Sequence, residues 1–336
     1  MSPAHFEYRP IDQSAAQIRV LTLRPGSSDD PISCTLTHHR LQHETNYEAI
    51  SYCWGNPNRD HLIYIGTISL RVTKSAHDAL RHLRLKDRSR RIWIDAICIN
   101  QADRNERNHQ VQLMAQIYKG ASRVLAWLGP ASSGSDKAMK LVKSVSAKSV
   151  AKPAIEVWHA VQALGDLMKR PFWSRTWILQ EMICPEKPPL IGCGTQWVDW
   201  DTWASASPLS LGSELEDILN PKASILGGQT VEAYSEALEV FSGINYQRGL
   251  TSGLHQHQGI TDLIRLLTLS MNSKCSDIRD HVFAILGMMH NDSTIPADIQ
   301  PPKPDYNKRV RRVYTEMAKF AIESDKTLLI LSLRTH

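Results

Sequence analysis

The sequence predicts an α/β chain: a mostly parallel sheet flanked by helices, with β-hairpins before it and a largely helical part after it. Three observations predict this. Two short apolar runs, at 91–99 and 123–128, enclose an amphipathic helix with short links, which is a βαβ unit and so places parallel strands under covering helices. Two pairs of alternating runs near the N-terminus are joined by turn residues. Beyond residue 260 the dominant apolar period is helical.

In chain order, Ile18–Arg24 and Ile32–Leu41 read as strands joined by the turn cluster Pro25-Gly-Ser-Ser-Asp-Asp-Pro31. Tyr47–Tyr52 is a further strand, ending at Cys53-Trp-Gly-Asn-Pro57. His61–Ile65 and Ile68–Val72 flank Gly66-Thr67 as a second hairpin. Lys74–Leu85 places Ala76, Ala79, Leu80 and Leu83 on one helical face. Arg91-Ile-Trp-Ile-Asp-Ala-Ile-Cys-Ile99 reads as a buried strand that ends at polar Asn100-Gln101. Asp103 and Glu106 then open a helix with capping-box spacing, and Gly120 closes it. Arg123–Leu128 is the next buried strand, stopped by Gly129-Pro130.

The segment Ala131–Val150 reads as a loop or a solvent-facing helix. A helix over Arg175–Ile183 follows, stopped by Pro185, and then a short strand, Leu190–Cys193, with Trp197, Trp200 and Trp203 beyond it. Residues 204–260 show only weak helical patterning. Helices are expected at Thr261–Met271, Asp280–Leu286 and Asn307–Glu323, and a last strand at Leu328–Leu333. The expected organisation is an N-terminal hairpin region over 1–45, an α/β core over 46–203 and a mainly helical extension of the same domain over 204–336.

Composition excludes several classes. No apolar run approaches the roughly 20 residues that span a bilayer, and Met1-Ser-Pro-Ala-His-Phe-Glu7 lacks a signal-peptide pattern, so a cytoplasmic protein with no membrane partner is expected. The six cysteines are scattered without a Cys-x-x-Cys pair, which argues for reduced thiols and against a zinc ribbon. Six basic residues over Arg81–Arg91 are better read as a solvated helix end than as a nucleic-acid patch. Cys98 reads as a buried inert thiol, and His255 and His257 lack a third ligand, so no metal site is expected. Gly192-Cys-Gly194 lacks the third glycine of a dinucleotide fingerprint, and there is no P-loop and no Gly-x-Ser-x-Gly elbow.

Ligands of parallel sheets bind outside the carboxyl ends of the strands. Here those ends carry Tyr52, Trp54, Asp95, Cys98, Asn100 and Gln101. Three of these have a structural alternative: Asp95 as a loop cap, Asn100 and Gln101 as partners of buried backbone groups.

Five ordered blocks also spell a family. Tyr47-Glu-Ala-Ile-Ser-Tyr-Cys-Trp-Gly55, Trp93–Gln101 with its following helix and Trp127-Leu-Gly129, and Arg170-Pro-Phe-Trp-Ser-Arg-Thr-Trp-Ile-Leu-Gln-Glu181 resemble the first three blocks of the fungal heterokaryon-incompatibility (HET) domain. Arg279-Asp-His-Val-Phe-Ala-Ile-Leu-Gly287 and Pro304-Asp-Tyr306 resemble its later ones. The resemblance implies an effector of programmed cell death in fungal non-self recognition, with self-association and a sensor or regulatory protein as partners.

HET domains are in turn distantly similar to TIR domains, whose enzymatic members hydrolyse NAD, so the resemblance implies a TIR/flavodoxin-like sheet with NAD as substrate and no bound cofactor. On that alignment Trp177-Ile-Leu-Gln-Glu181 takes the place of the catalytic segment, with Glu181 as the catalytic carboxylate. Trp177 would stack a planar ring, Arg175 would hold pyrophosphate, and Tyr52, Trp54, Gly55, Asp95, Asn100 and Gln101 would line the cleft. The stretch Ala131–Arg170, the N-terminal hairpin and the long C-terminal part depart from the TIR pattern. Structural alternatives remain here too: Glu181 paired with Arg279, Arg279 paired with Asp280, and Trp173 and Trp177 as core. Two other functions stay open: a non-enzymatic signalling adaptor, and a different nucleotide- or nucleic-acid-processing enzyme on the same fold.

Overall fold

The computed structural model describes residues 6–41, 46–147, 154–206, 241–249, 260–289 and 299–325. Nine strands form one mixed sheet. They are β1 (Gln17–Leu23), β2 (Ser33–Arg40), β3 (Glu48–Tyr52), β4 (His61–Ile65), β5 (Ile68–Val72), β6 (Arg90–Trp93), β7 (Arg123–Trp127), β8 (Leu190–Cys193) and β9 (Gln196–Asp199). Across the sheet they run in the order β5-β4-β2-β1-β6-β3-β7-β8-β9. The centre, β6-β3-β7-β8, is parallel, as the βαβ reading requires. Antiparallel pairs flank it: β1 with β2 and β6 on one side, β9 with β8 on the other. The β4–β5 hairpin extends the far edge, with β4 parallel to β2.

The helices are α1 (Lys74–Leu83), α2 (Asp95–Cys98), α3 (Arg104–Gly120), α4 (Ser135–Ser146), α5 (Ala154–Met168), α6 (Ile178–Ile183), α7 (Trp200–Ser205), α8 (Ile260–Met271), α9 (Asp280–Met289) and α10 (Val310–Asp325). A further helical stretch covers 241–249. Among the described residues no helix is long and apolar enough to cross a membrane. The expected strand Leu328–Leu333, and His255 and His257, lie outside the described residues.

Helix α3 serves two cores. Leu113, Met114, Ile117 and Tyr118 join the strands, α1 and α2 in one hydrophobic cluster. Val111 joins the other, which gathers α4, α6, α7 and the later helices. Each fully buried Leu, Ile or Phe contributes about 1.5–3 kcal/mol relative to exposure, so these clusters carry the stability.

Four local expectations are corrected. The apolar run after Arg90 is not one strand: β6 stops at Trp93, and Asp95–Cys98 turn as one helical turn that buries Ile97 and Cys98. Period alone does not separate a buried strand from a buried helical turn. Helix α4 is not solvent-facing all round, because Ala138, Met139 and Val142 are buried beside α5. Helix α6 begins at Ile178 rather than Arg175. Strand β9 was not foreseen; Trp197 on it covers Gly192, where an added Cβ would lie 2.4 Å from the indole ring. That packing, rather than a phosphate, explains the glycine.

The link between β6 and α3 is held by a buried ion pair. Asp103 caps α3 by accepting from the backbone of Asn105 and Glu106. Glu106, however, does not reach back to the cap residue. Its Oε1 accepts from the Asn100 backbone N–H at 2.6 Å, and Arg19 of β1 donates to both its oxygens, at 2.5 and 2.8 Å. Arg19 also donates to the carbonyls of Cys98 and Arg9, at 3.0 and 2.7 Å. With side chains 1% and 4% exposed, the pair has no water to replace a lost partner.

Removing one member of such a pair strands the other. Glu106→Gln is expected to cost about 3–5 kcal/mol in urea unfolding. Lys74→Met, which removes the exposed i,i+4 partner of Asp78, is expected to cost about 0.3–0.5 kcal/mol. Similar losses from the two variants would contradict this reading of the clasp.

Candidate functional site

Beyond their carboxyl ends, β3 and β6 release the chain into one cleft of about 480 Å³. Strand β3 delivers Cys53, Trp54 and Gly55 to it, and β6 delivers Asp95. Gly55 has φ +62°, a conformation that costs a side-chain-bearing residue 1 kcal/mol or so. It turns the chain away and leaves Trp54 39% exposed. The Trp54 carbonyl accepts from the Ser75 hydroxyl at the start of α1, and its Nε1–H donates to Asp95 Oδ2 at 2.9 Å. The Ala96 backbone N–H donates to Asp95 Oδ1 at 2.7 Å, and Gln101 Nε2 donates to the Asp95 carbonyl at 3.1 Å. Two residues expected near a ligand, Asp95 and Gln101, are therefore tied into one turn that also lines the cleft.

The opposite wall comes from two distant stretches, 175–177 and 274–280, together with Tyr306. They are bonded to each other through backbone. The Lys274 N–H donates to Ser174 O at 2.5 Å, and the Thr176 N–H donates to Lys274 O at 3.1 Å. The Thr176 and Ser273 hydroxyls meet at 2.6 Å.

Of the expected site residues, Trp54, Gly55, Asp95, Gln101, Arg175 and Trp177 line this cleft; Glu181, Tyr52 and Asn100 do not. The Glu181 carboxylate is sealed beneath β3, its side chain 1% exposed. Arg175 donates to both of its oxygens at 2.7 Å, and the Ser51 hydroxyl donates to Oε2. The expected alternative partner, Arg279, instead grips Asp277 and the carbonyls of Tyr306 and Lys308. It does not pair with Asp280 either. Tyr52 is fully buried with its hydroxyl unpartnered among the described residues. Asn100 shapes the loop, its Oδ1 accepting from the Ala102 N–H at 3.3 Å. Trp173 is core, as its alternative held. Trp177 is half-buried, packing against both clusters while reaching the cleft.

Several lining residues escaped the sequence reading of the site. Asp280, 8% exposed, accepts from the Tyr306 hydroxyl at 2.5 Å and from the Trp177 indole. Arg107 lies over the Tyr306 ring at 4.2 Å, its Nε unpartnered among the described residues. Lys274 is exposed at the rim. The signal for Asp280 and Tyr306 was present: each sits in a motif block of its own, about 100 residues or more beyond Glu181. Only the fold brings those blocks to the strand tips.

The electrostatics are unusual for carboxyls. Burial pushes Asp280 up to about 6, against the hydrogen bonds from Tyr306 and Trp177. Burial, and then the negative charge of Glu181, push Asp95 up to about 6, with Arg175 opposing. Burial alone would lower Arg175, but the charge and hydrogen bonds of Glu181 keep it cationic. Cys275 lies 3.3 Å from His281 Nε2, yet burial and the Asp280 charge push its thiol up to about 11, so it is no thiolate nucleophile at neutral pH. Cys98 is buried and its thiol pushed up to about 12 in the same way. Among the described residues no three His, Cys, Asp or Glu side chains gather to hold a metal ion.

The comparisons with known proteins agree with the motif blocks. The family model described as Heterokaryon incompatibility protein (HET) matches residues 47–181. Heterokaryon incompatibility protein 6, OR allele, of Neurospora crassa is 25% identical over 366 aligned residues, which cover 94% of this chain and 53% of that protein. The chain thus spans about half the length of the curated relative it matches. No solved structure gives a significant match.

The raised Asp280 carboxyl makes a stability prediction. Its proton is held more tightly in the folded state than by a free aspartate, so the folded state gains stability below about pH 4 that is lost as pH rises through about 6. A shift of this size is worth on the order of 2–3 kcal/mol. Urea unfolding from pH 4 to pH 7 is expected to show wild type losing about that much relative to Asp280→Asn. A parallel pH dependence in both proteins would contradict it.

Proposed function

We propose, from the match of residues 47–181 to the heterokaryon incompatibility (HET) family model and the likeness to the Neurospora protein, that this chain is an effector of cell death in fungal non-self recognition, working through the cleft at the β3 and β6 tips by hydrolysing NAD. The observation that carries the chemical part is the set of side chains gathered in one cleft. Trp54 and Trp177 offer flat apolar faces for a planar base or nicotinamide ring. Arg107 and Lys274 offer cations for a pyrophosphate. Asp95 and Asp280 supply carboxyls for the positive charge that develops on a ribose carbon as its bond to nitrogen breaks. The cleft volume of about 480 Å³ lies within the range of small-molecule sites. Nicotinamide, cationic while bonded to ribose, leaves as a neutral ring, so the site needs no strong general acid.

Each feature has a non-chemical use as well. Arg107 stacks on Tyr306, and Trp54 holds the Asp95 turn. Their convergence at strand carboxyl ends favours a ligand, because that is where open α/β sheets bind one.

The test uses the full chain. Purified protein incubated with NAD at high protein concentration is expected to release nicotinamide and ADP-ribose, measured by chromatography. Trp177→Ala is expected to lower kcat/KM by about tenfold or more, through the lost ring contact. Overexpression in a fungal host is expected to kill with wild type and to spare cells with Trp177→Ala. Killing without any NAD turnover would sink the hydrolysis and keep the effector role; no killing by wild type would sink both.

A further inference from the structure

Resting on the hydrolytic reading above, we propose that Asp95 is the catalytic carboxylate of this cleft and that Glu181 is a positioning residue acting through Arg175. The argument is one of access. Four carboxylates lie in or behind the cleft: Asp95, Asp277, Asp280 and Glu181. Glu181 is enclosed, with Arg175 on both oxygens and Ser51 on one, so a substrate atom has no route to it. Asp277 is gripped by the Arg279 guanidinium at 2.5 and 2.8 Å. Asp280 is 8% exposed and bound by Tyr306 and Trp177.

Asp95 differs from all three. It lines the cleft at the carboxyl end of β6, is half-buried, and among the described residues forms no ion pair. Its two oxygens each take one neutral donor, the Trp54 indole and the Ala96 backbone N–H. Those bonds fix the plane of the carboxylate and leave a lone pair on each oxygen for a ligand. Glu181 then has a defined effect at a distance. It holds the Arg175 guanidinium in the cleft wall, and its charge raises the proton affinity of Asp95.

The step balances without a further reagent. The bond from ribose C1′ to the nicotinamide nitrogen breaks, and its electron pair goes to the ring, which leaves neutral. The electron-poor C1′ is stabilised by the Asp95 carboxylate. Water adds its oxygen to C1′ and gives up a proton, which Asp95 accepts and passes to solvent. The products are ADP-ribose, nicotinamide and one proton.

The experiment measures nicotinamide release and NAD binding on the full chain, with binding read from tryptophan fluorescence. Asp95→Asn is expected to lower kcat about 100-fold or more while leaving the NAD dissociation constant within about threefold. That unchanged binding reports an intact fold. Asp95→Glu, which keeps the charge but displaces it, is expected to retain more activity than Asp95→Asn. In Glu181→Gln protein that keeps its thermal midpoint, kcat at pH 8 is expected to fall less than in Asp95→Asn while its acid limb moves to lower pH, since burial still raises Asp95 but the added charge of Glu181 is gone. Turnover that survives Asp95→Asn overturns the assignment alone. So does a Glu181→Gln protein that keeps its thermal midpoint and loses as much activity as Asp95→Asn. Absence of nicotinamide release by wild type overturns the hydrolytic reading together with it.

Discussion

A carboxylate can stay charged inside a protein only if the charge opposite it is fixed in place, and much of this molecule is arranged around one such case. Glu181 lies under the tip of β3, with the Arg175 guanidinium on both its oxygens and the Ser51 hydroxyl on one. For Arg175 to reach it, the chain from Arg170 to Trp177 must run as turns ahead of α6 instead of as helix. Those turns present backbone groups to Lys274 and a hydroxyl to Ser273, which dock the later helical part beside the strand tips. The far wall of the cleft is therefore a consequence of how one buried charge is neutralised. Such a pair need not add stability, since desolvating two ions offsets much of their attraction. What it fixes is geometry.

A second buried pair acts on the near wall. Arg19 and Glu106 hold the loop from Cys98 to Asn105, and with it the turn that carries Asp95 and Gln101. Both walls thus rest on a buried arginine–glutamate pair, one bridging β1 to α3 and the other closing the turns just ahead of α6. Neither arginine shows this role in the sequence: Arg19 stands within an ordinary strand pattern, and Arg175 reads as a ligand for pyrophosphate.

This also marks where the sequence was legible. Strand–helix–strand periodicity, the turn clusters and the motif blocks placed the central sheet, the N-terminal hairpins and the cleft at the carboxyl ends of β3 and β6. What failed was orientation. The spacing of Trp177 and Glu181 suggests a shared helical face, but the Trp177 indole, at the N-cap of α6, reaches the cleft while Arg175 and Ser51 hold the Glu181 carboxylate under the sheet. Tyr52 and Asn100 were misplaced for a similar reason, because strand-end position does not say which way a side chain points. Asp280 and Tyr306 needed a contact between remote segments that no local pattern encodes.

The family match ends at Glu181, yet Lys274, Asp280 and Tyr306 complete the cleft from outside it. A fragment cut at the domain boundary would keep the strand tips and lose their counterpart, along with the groups that cover Trp177 on that side. Assays on such a trimmed piece would examine an open shelf. The segment that the family model recognises is thus narrower than the structural unit that encloses the cleft.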